Sequence, residues 1–168
     1  WWGGKPLLQL NYGIWFPART LTGRFDILGG HMDGLWWRVT LGEDGRPLVY
    51  DTIHQCGCYH TFFPATPLGI ADRYPASDIR ERPFAPTTAP SLGNGERMVV
   101  SMAPVTHYVV DIGTQPIGSP GTAYAFADDD GLRSLPTPGG GRKSLFGPDG
   151  IVAGTERMER FLLWPMGI

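Results

Sequence analysis

Between Leu7 and Phe16 the chain reads LLQLNYGIWF, placing Leu8, Leu10, Tyr12, Ile14 and Phe16 at every second position with Gln9 and Asn11 between them. A period of two predicts a half-buried strand, and Pro17 is expected to end it. Ala18 to Gly34 holds Gly23, Gly29, Gly30 and Gly34 and reads as a loop. Alternation returns from Leu35 to Leu41, where Leu35, Trp37, Val39 and Leu41 are expected to face inward and Arg38 and Thr40 outward. Asp44-Gly45 falls in the short connection to the next apolar segment, Pro47 to Ile53, so the two segments predict a β-hairpin.

Farther along, residues 63–95 are crowded with prolines (Pro64, Pro67, Pro75, Pro83, Pro86, Pro90) and contain one short helix-like run, Ser77 to Arg82. A long surface excursion is expected there, of the kind that is usually functional or mobile. Arg97 to Ala103, Thr106 to Ile112 and Thr122 to Ala127 have strand-like composition. Asp128 to Gly150 reads as a second loop region, and Thr155 as the cap of a short helix through Leu163, stopped by Pro165. The pattern as a whole predicts a mainly β fold, an antiparallel β-sandwich or open barrel with long Gly/Pro-rich loops and at most one or two short helices.

Composition narrows this further. The chain has 168 residues, 42% of them hydrophobic, which is enough for a single β-rich domain spanning residues 1–168 and argues against disorder. Its 24 Gly and 16 Pro disfavour a helical bundle. With 14 Lys+Arg against 16 Asp+Glu there is no cationic field for a phosphate backbone, so nucleic acid is not an expected partner. No apolar run approaches the roughly 18 residues of a transmembrane segment. Opening on Trp1-Trp2 without an initiator Met, the chain reads as a fragment of a longer one; secretion stays open for that reason, while a free dithiol leans towards the cytoplasm.

One motif carries recognisable chemistry. His54-Gln55-Cys56-Gly57-Cys58-Tyr59-His60 spaces two imidazoles and two thiols at alternate positions. On a regular strand all four would share one face, but His54 and His60 would stand about 20 Å apart, too far for one tetrahedral ion. The motif therefore predicts a bend at Gly57, which would let Cys56, Cys58 and one or both histidines converge on a metal, zinc being the ion that thiolate and imidazole favour. His31, near Asp33, and His107, four before Asp111, are candidates to complete that site. A closed set would make the zinc structural, whereas an open position would permit hydrolysis.

Two other readings stand beside it. The only two cysteines could form a thiol redox pair, because a structural disulfide between residues two apart is strained. Alternatively the cysteines and histidines are ordinary buried residues, and aromatic loops make a non-catalytic module that binds a glycan, another small molecule, a lipid surface or a protein. Other motifs fail on spacing: counted from Asp128, an EF-hand would need Gly and Glu where Arg133 and Gly139 stand, and Gly139-Gly140-Gly141-Arg142-Lys143-Ser144 lacks the phosphate-loop pattern.

From Leu8 to Cys58 the segment order resembles a β-sandwich superfamily that includes vacuolar-sorting-associated and necrosis-inducing proteins. The likeness rests on the aromatic first strand (Asn11 to Phe16), Gly34, Trp36, Arg38-Val39-Thr40, the Asp44-Gly45-Arg46-Pro47 turn and His54. It implies a sandwich. Where that pattern has acids flanking the tryptophan, this chain has Leu35 and Trp37, so the superfamily's acidic cation site is not carried over; His31 and Asp33 are approximate counterparts of its loop histidine and acid.

Overall fold

The computed structural model describes residues 2–69 and 82–158. The chain divides into two compact units, one built from Trp1–Ile14 and Gly34–Ser119, the other from Trp15–Asp33 and Pro120–Ile168. Both boundaries near the N-terminal end of the chain fall inside strands, β1 (Gln9–Arg19) and β2 (Gly30–Leu41), where composition gives no linker signal.

In the first unit β1, β2, β3 (Pro47–His54) and β4 (Thr61–Pro64) follow one another in a four-stranded sheet. β2 and β3 form the expected antiparallel hairpin, with Arg38 opposite Asp51 and Val39 opposite Tyr50, and a register shift at Thr40/Leu41 beside the turn. The alternation decides which face is core. Leu35, Trp37 and Val39 from β2, Tyr50 from β3 and Phe63 from β4 are buried together. The Trp37 ring packs against both Tyr50 and Phe63, with centroids 5.6 and 6.1 Å away. Burial pushes the Tyr50 phenol above its ordinary 10.0.

A second layer comes from the antiparallel pair β5 (Glu96–Met102) and β6 (Val109–Pro116). Ile112 joins the core, and Met98, Val100, Met102 and Val109 pack against it. The result is a mainly β, open sandwich of antiparallel pairs, and no sheet closes on itself among the described residues.

The Pro-rich stretch differs from a plain surface excursion. Phe63 and Pro64 are buried in β4, and after the undescribed residues the chain returns along that strand, bridging Thr61 to Phe84 and Ala65 to Ala89 in parallel. Ala89 is 3% exposed and part of the core. Proline is compatible with this place because a strand at a sheet edge needs only one side of its backbone paired. The same reasoning explains why Pro17 does not end β1, which runs on to Arg19 as the opposite edge of the sheet. Ser77 to Arg82 lies largely outside the described residues, and Thr122 to Ala127 forms no strand.

The second unit is differently held. Besides the end of β1 and the start of β2, its regular structure among the described residues includes a 3-10 turn (Asp129–Arg133) capped by the Asp128 side chain, and a two-residue pair of β7 (Leu135–Pro136) with β8 (Arg142–Lys143). The expected helix from Thr155 falls mostly outside the described residues; Thr155 itself donates its hydroxyl to the Val152 carbonyl at 2.6 Å. Within the loop between β1 and β2, Asp26 accepts hydrogen bonds from the Thr22 amide (3.0 Å), the Thr22 hydroxyl (2.9 Å) and the Leu28 amide (3.0 Å).

These bonds hold the Asp26 carboxyl well below its ordinary 3.8, at about 2, with the Thr22 amide the largest cause. Because the folded value is the lower one, the loop's contribution is complete above pH 3.8 and fades as pH falls towards about 2. Carboxyl NMR titration should find Asp26 half-protonated near 2, and Thr22→Val should move that midpoint upward. A wild-type midpoint near 3.8 would show that the loop is not closed in solution.

Candidate functional site

The chain turns where the cysteine motif predicts a bend. Gly57 has φ +84°, its amide donates to the His54 carbonyl at 2.8 Å, and the His54 amide donates to the Cys58 carbonyl at 3.0 Å. A side chain is strained at such a φ, so glycine fits the position. Both cysteines are half-buried, and neither is in a disulfide.

The turn does not gather the four motif side chains. His54 ends β3 on the core face, in phase with Tyr50 and Thr52, and is buried. His60 instead reaches Asp51, which points to the other face of the same strand: its Nε2 is 3.0 Å from Asp51 Oδ1 and 2.8 Å from Arg38 Nη2. Arg38 also donates Nε to that carboxylate oxygen at 2.6 Å, with Nη2 in close contact, and the Phe62 ring packs on His60 at 4.1 Å. A guanidinium beside Nε2 repels any cation at that nitrogen.

His107 is buried beside the start of β6, His31 is exposed in β2, and Asp33 accepts from Arg157 at 3.1 Å. Among the described residues no group of three or more His, Cys, Asp or Glu side chains stands together as a metal-ion ligand set.

What the turn does assemble is aromatic. Tyr59 follows it with φ +58° and lays its ring on Tyr108, centroids 4.2 Å apart. The His54 ring stands edge-on to both, at 5.4 and 5.2 Å. Tyr108 is set by the connection between β5 and β6, where the Ala103 amide donates to the Tyr108 carbonyl at 2.9 Å and the His107 amide to the Ala103 carbonyl at 3.0 Å. His107 has φ +55°. Two non-glycine residues in the left-handed region thus flank one cluster, at a cost of about 1 kcal/mol or more each. Tyr59 remains 48% exposed, so one ring of the cluster is open to solvent while His54 is sealed beneath.

Sequence reasoning passes over Tyr59 and Tyr108 because each is a single aromatic beside a more conspicuous histidine. The Arg38–Asp51 pair carries a usable signal: two outward positions of the predicted hairpin, brought opposite one another once the register is counted from the Asp44-Gly45 turn.

A scan against protein-family models matches no family, and searches of the curated proteins and of the solved structures give no match.

Proposed function

We propose that the domain is a non-catalytic binding module that takes a neutral ring-bearing ligand, a glycan, on the Tyr59–Tyr108 platform. The observation that carries this reading is the half-exposed Tyr59 ring, held on Tyr108 by a left-handed backbone. A phenol offers a π-face for sugar C–H groups and a hydroxyl that both donates and accepts, so the platform suits a neutral ring-bearing ligand.

Calorimetric titration with neutral gluco-, manno-, galacto- and chito-oligosaccharides tests it. At least one series should bind, and Tyr59→Ala, still folded, should weaken that binding by about tenfold or more, equivalent to about 1.4 kcal/mol. A folded wild-type protein that binds none of them, or binding indifferent to Tyr59→Ala, would count against the platform. The competing zinc reading predicts about one equivalent of metal in protein purified without a histidine tag, abolished in Cys56→Ser/Cys58→Ser. Because Arg38 stands against His60 Nε2, we expect elemental analysis to find far less than one equivalent.

A further inference from the structure

The chain has two asparagines, and their surroundings differ. Asn11 lies inside the paired strand β1, before the bulky Tyr12, and its side-chain amide donates to the Gln9 carbonyl at 3.4 Å. Asn94 precedes Gly95 in the turn that leads into β5, and both residues are exposed. That turn is clasped on either side of the peptide unit joining them. The Glu96 amide donates to the Gly93 carbonyl at 3.2 Å, the Glu96 carboxylate accepts from the Gly93 amide at 2.7 Å, and the Ile117 amide donates to the Gly95 carbonyl at 2.8 Å.

The peptide unit itself is not held. Among the described residues no hydrogen bond engages the Gly95 amide or the Asn94 carbonyl. Gly95 has φ +81°, and a Cβ built there would meet no atom within 4 Å. Glycine takes this left-handed turn position without strain, and for the same reason its nitrogen carries no neighbouring side chain to shield it. An asparagine carboxamide one residue earlier can therefore reach that nitrogen by rotating about its own bonds, a motion that a ladder hydrogen bond would resist.

We propose that Asn94-Gly95 is a self-modification site, at which the folded chain deamidates without an enzyme. The Gly95 nitrogen gives its proton to solvent base and bonds to Asn94 Cγ; the Cγ–Nδ2 bond breaks, and Nδ2 leaves as ammonia after taking up a proton. The product is a succinimide ring. Water then opens it at Cγ, giving aspartate, or at the main-chain carbonyl, giving isoaspartate, so the balance is one water in and one ammonia out. Either product adds one negative charge to a formal net charge of −2, beside a Glu96 carboxylate that already holds the Gly93 amide and accepts the Thr114 hydroxyl at 3.3 Å. Isoaspartate also lengthens the main chain inside the turn. Both changes loosen the end of β5–β6 where Glu96 faces Pro116, whereas Tyr108 adjoins the other end, where Met102 faces Val109.

Folded protein incubated at neutral and at mildly alkaline pH should gain about one dalton, and peptide mapping should place the gain at Asn94. An isoaspartyl methyltransferase should label the same peptide. The rate should rise with pH, as loss of the amide proton requires, and should lie within about tenfold of that in the free peptide Ser91–Arg97. Asn11 should convert more slowly than Asn94 by about tenfold or more. Asn94→Ser keeps Gly95 and removes the carboxamide, so it should fold and show no gain in that peptide. In converted protein, hydrogen exchange at Glu96 and Ile117 should quicken. An Asn94 that stays intact in the folded protein while the free peptide converts overturns the proposal, as does conversion at Asn11 that keeps pace with Asn94.

Discussion

Asp51→Ala is expected to cost the domain about 3 to 5 kcal/mol, nearer the lower figure because Arg38 is partly in water. Asp51 is 3% exposed at the centre of the β2–β3 hairpin, and one of its oxygens receives Arg38 Nε and Nη2 and faces His60 Nε2. Removing the carboxylate strands a guanidinium against a largely buried strand, and the loss is chiefly the cost of that uncompensated charge rather than the worth of the pair. Arg38→Met/Asp51→Leu should therefore lose markedly less than the single variant. Urea midpoints at unchanged m-value would measure both. A single variant within about 1 kcal/mol of wild type would show that water reaches the pair more freely than its burial implies.

The same residues show what a sequence can and cannot disclose. Leu35, Trp37 and Val39 alternate against a turn with Asp-Gly, so local chemistry alone specifies both the hairpin and its buried face. Thr122 to Ala127 has equally good strand composition, yet no strand forms, because a ladder needs a partner and propensity cannot supply one. Ala89 reads as part of a proline-rich loop and is core, because the returning chain bridges to Ala65 beside β4, a position that tolerates proline. In the cysteine motif the bend at Gly57 was readable from the glycine. The divergence of His54 and His60 was not, since it depends on which side of β3 each ring finds room: a core pocket lined by Tyr108 for one, the Asp51 carboxylate for the other.

The two units also differ in what resists unfolding. Every buried hydrophobic residue described lies in the first unit, where Leu35 and Phe63 are 0% and 1% exposed. The second unit's buried positions, among the described residues, are Arg19 and Asp33. Its described order includes polar ties, which are directional.

Arg157 makes one such tie, and Arg157→Ala is expected to cost about 3 kcal/mol, expressed in the second unit. Its guanidinium donates Nη1 to the Leu28 carbonyl at 2.8 Å, and Nη2 to the Met32 carbonyl and to Asp33 Oδ1, the latter at 3.1 Å. One planar fork thus ties Leu28, just before β2, to Met32 and Asp33 near its start, and its stem lies across Gly30, where an added Cβ would meet Arg157 Cγ at 3.2 Å. Met32 sits at φ +51°, a conformation these bonds help to hold. Lysine keeps the charge but concentrates its donors at one point, so Arg157→Lys should recover little of the loss. Hydrogen exchange at Leu28 to Asp33 should accelerate in both variants, while the amides of β3 and β5 keep wild-type protection. Full rescue by lysine would reduce the tie to its charge, and equal acceleration in β3 would show that the two units unfold as one.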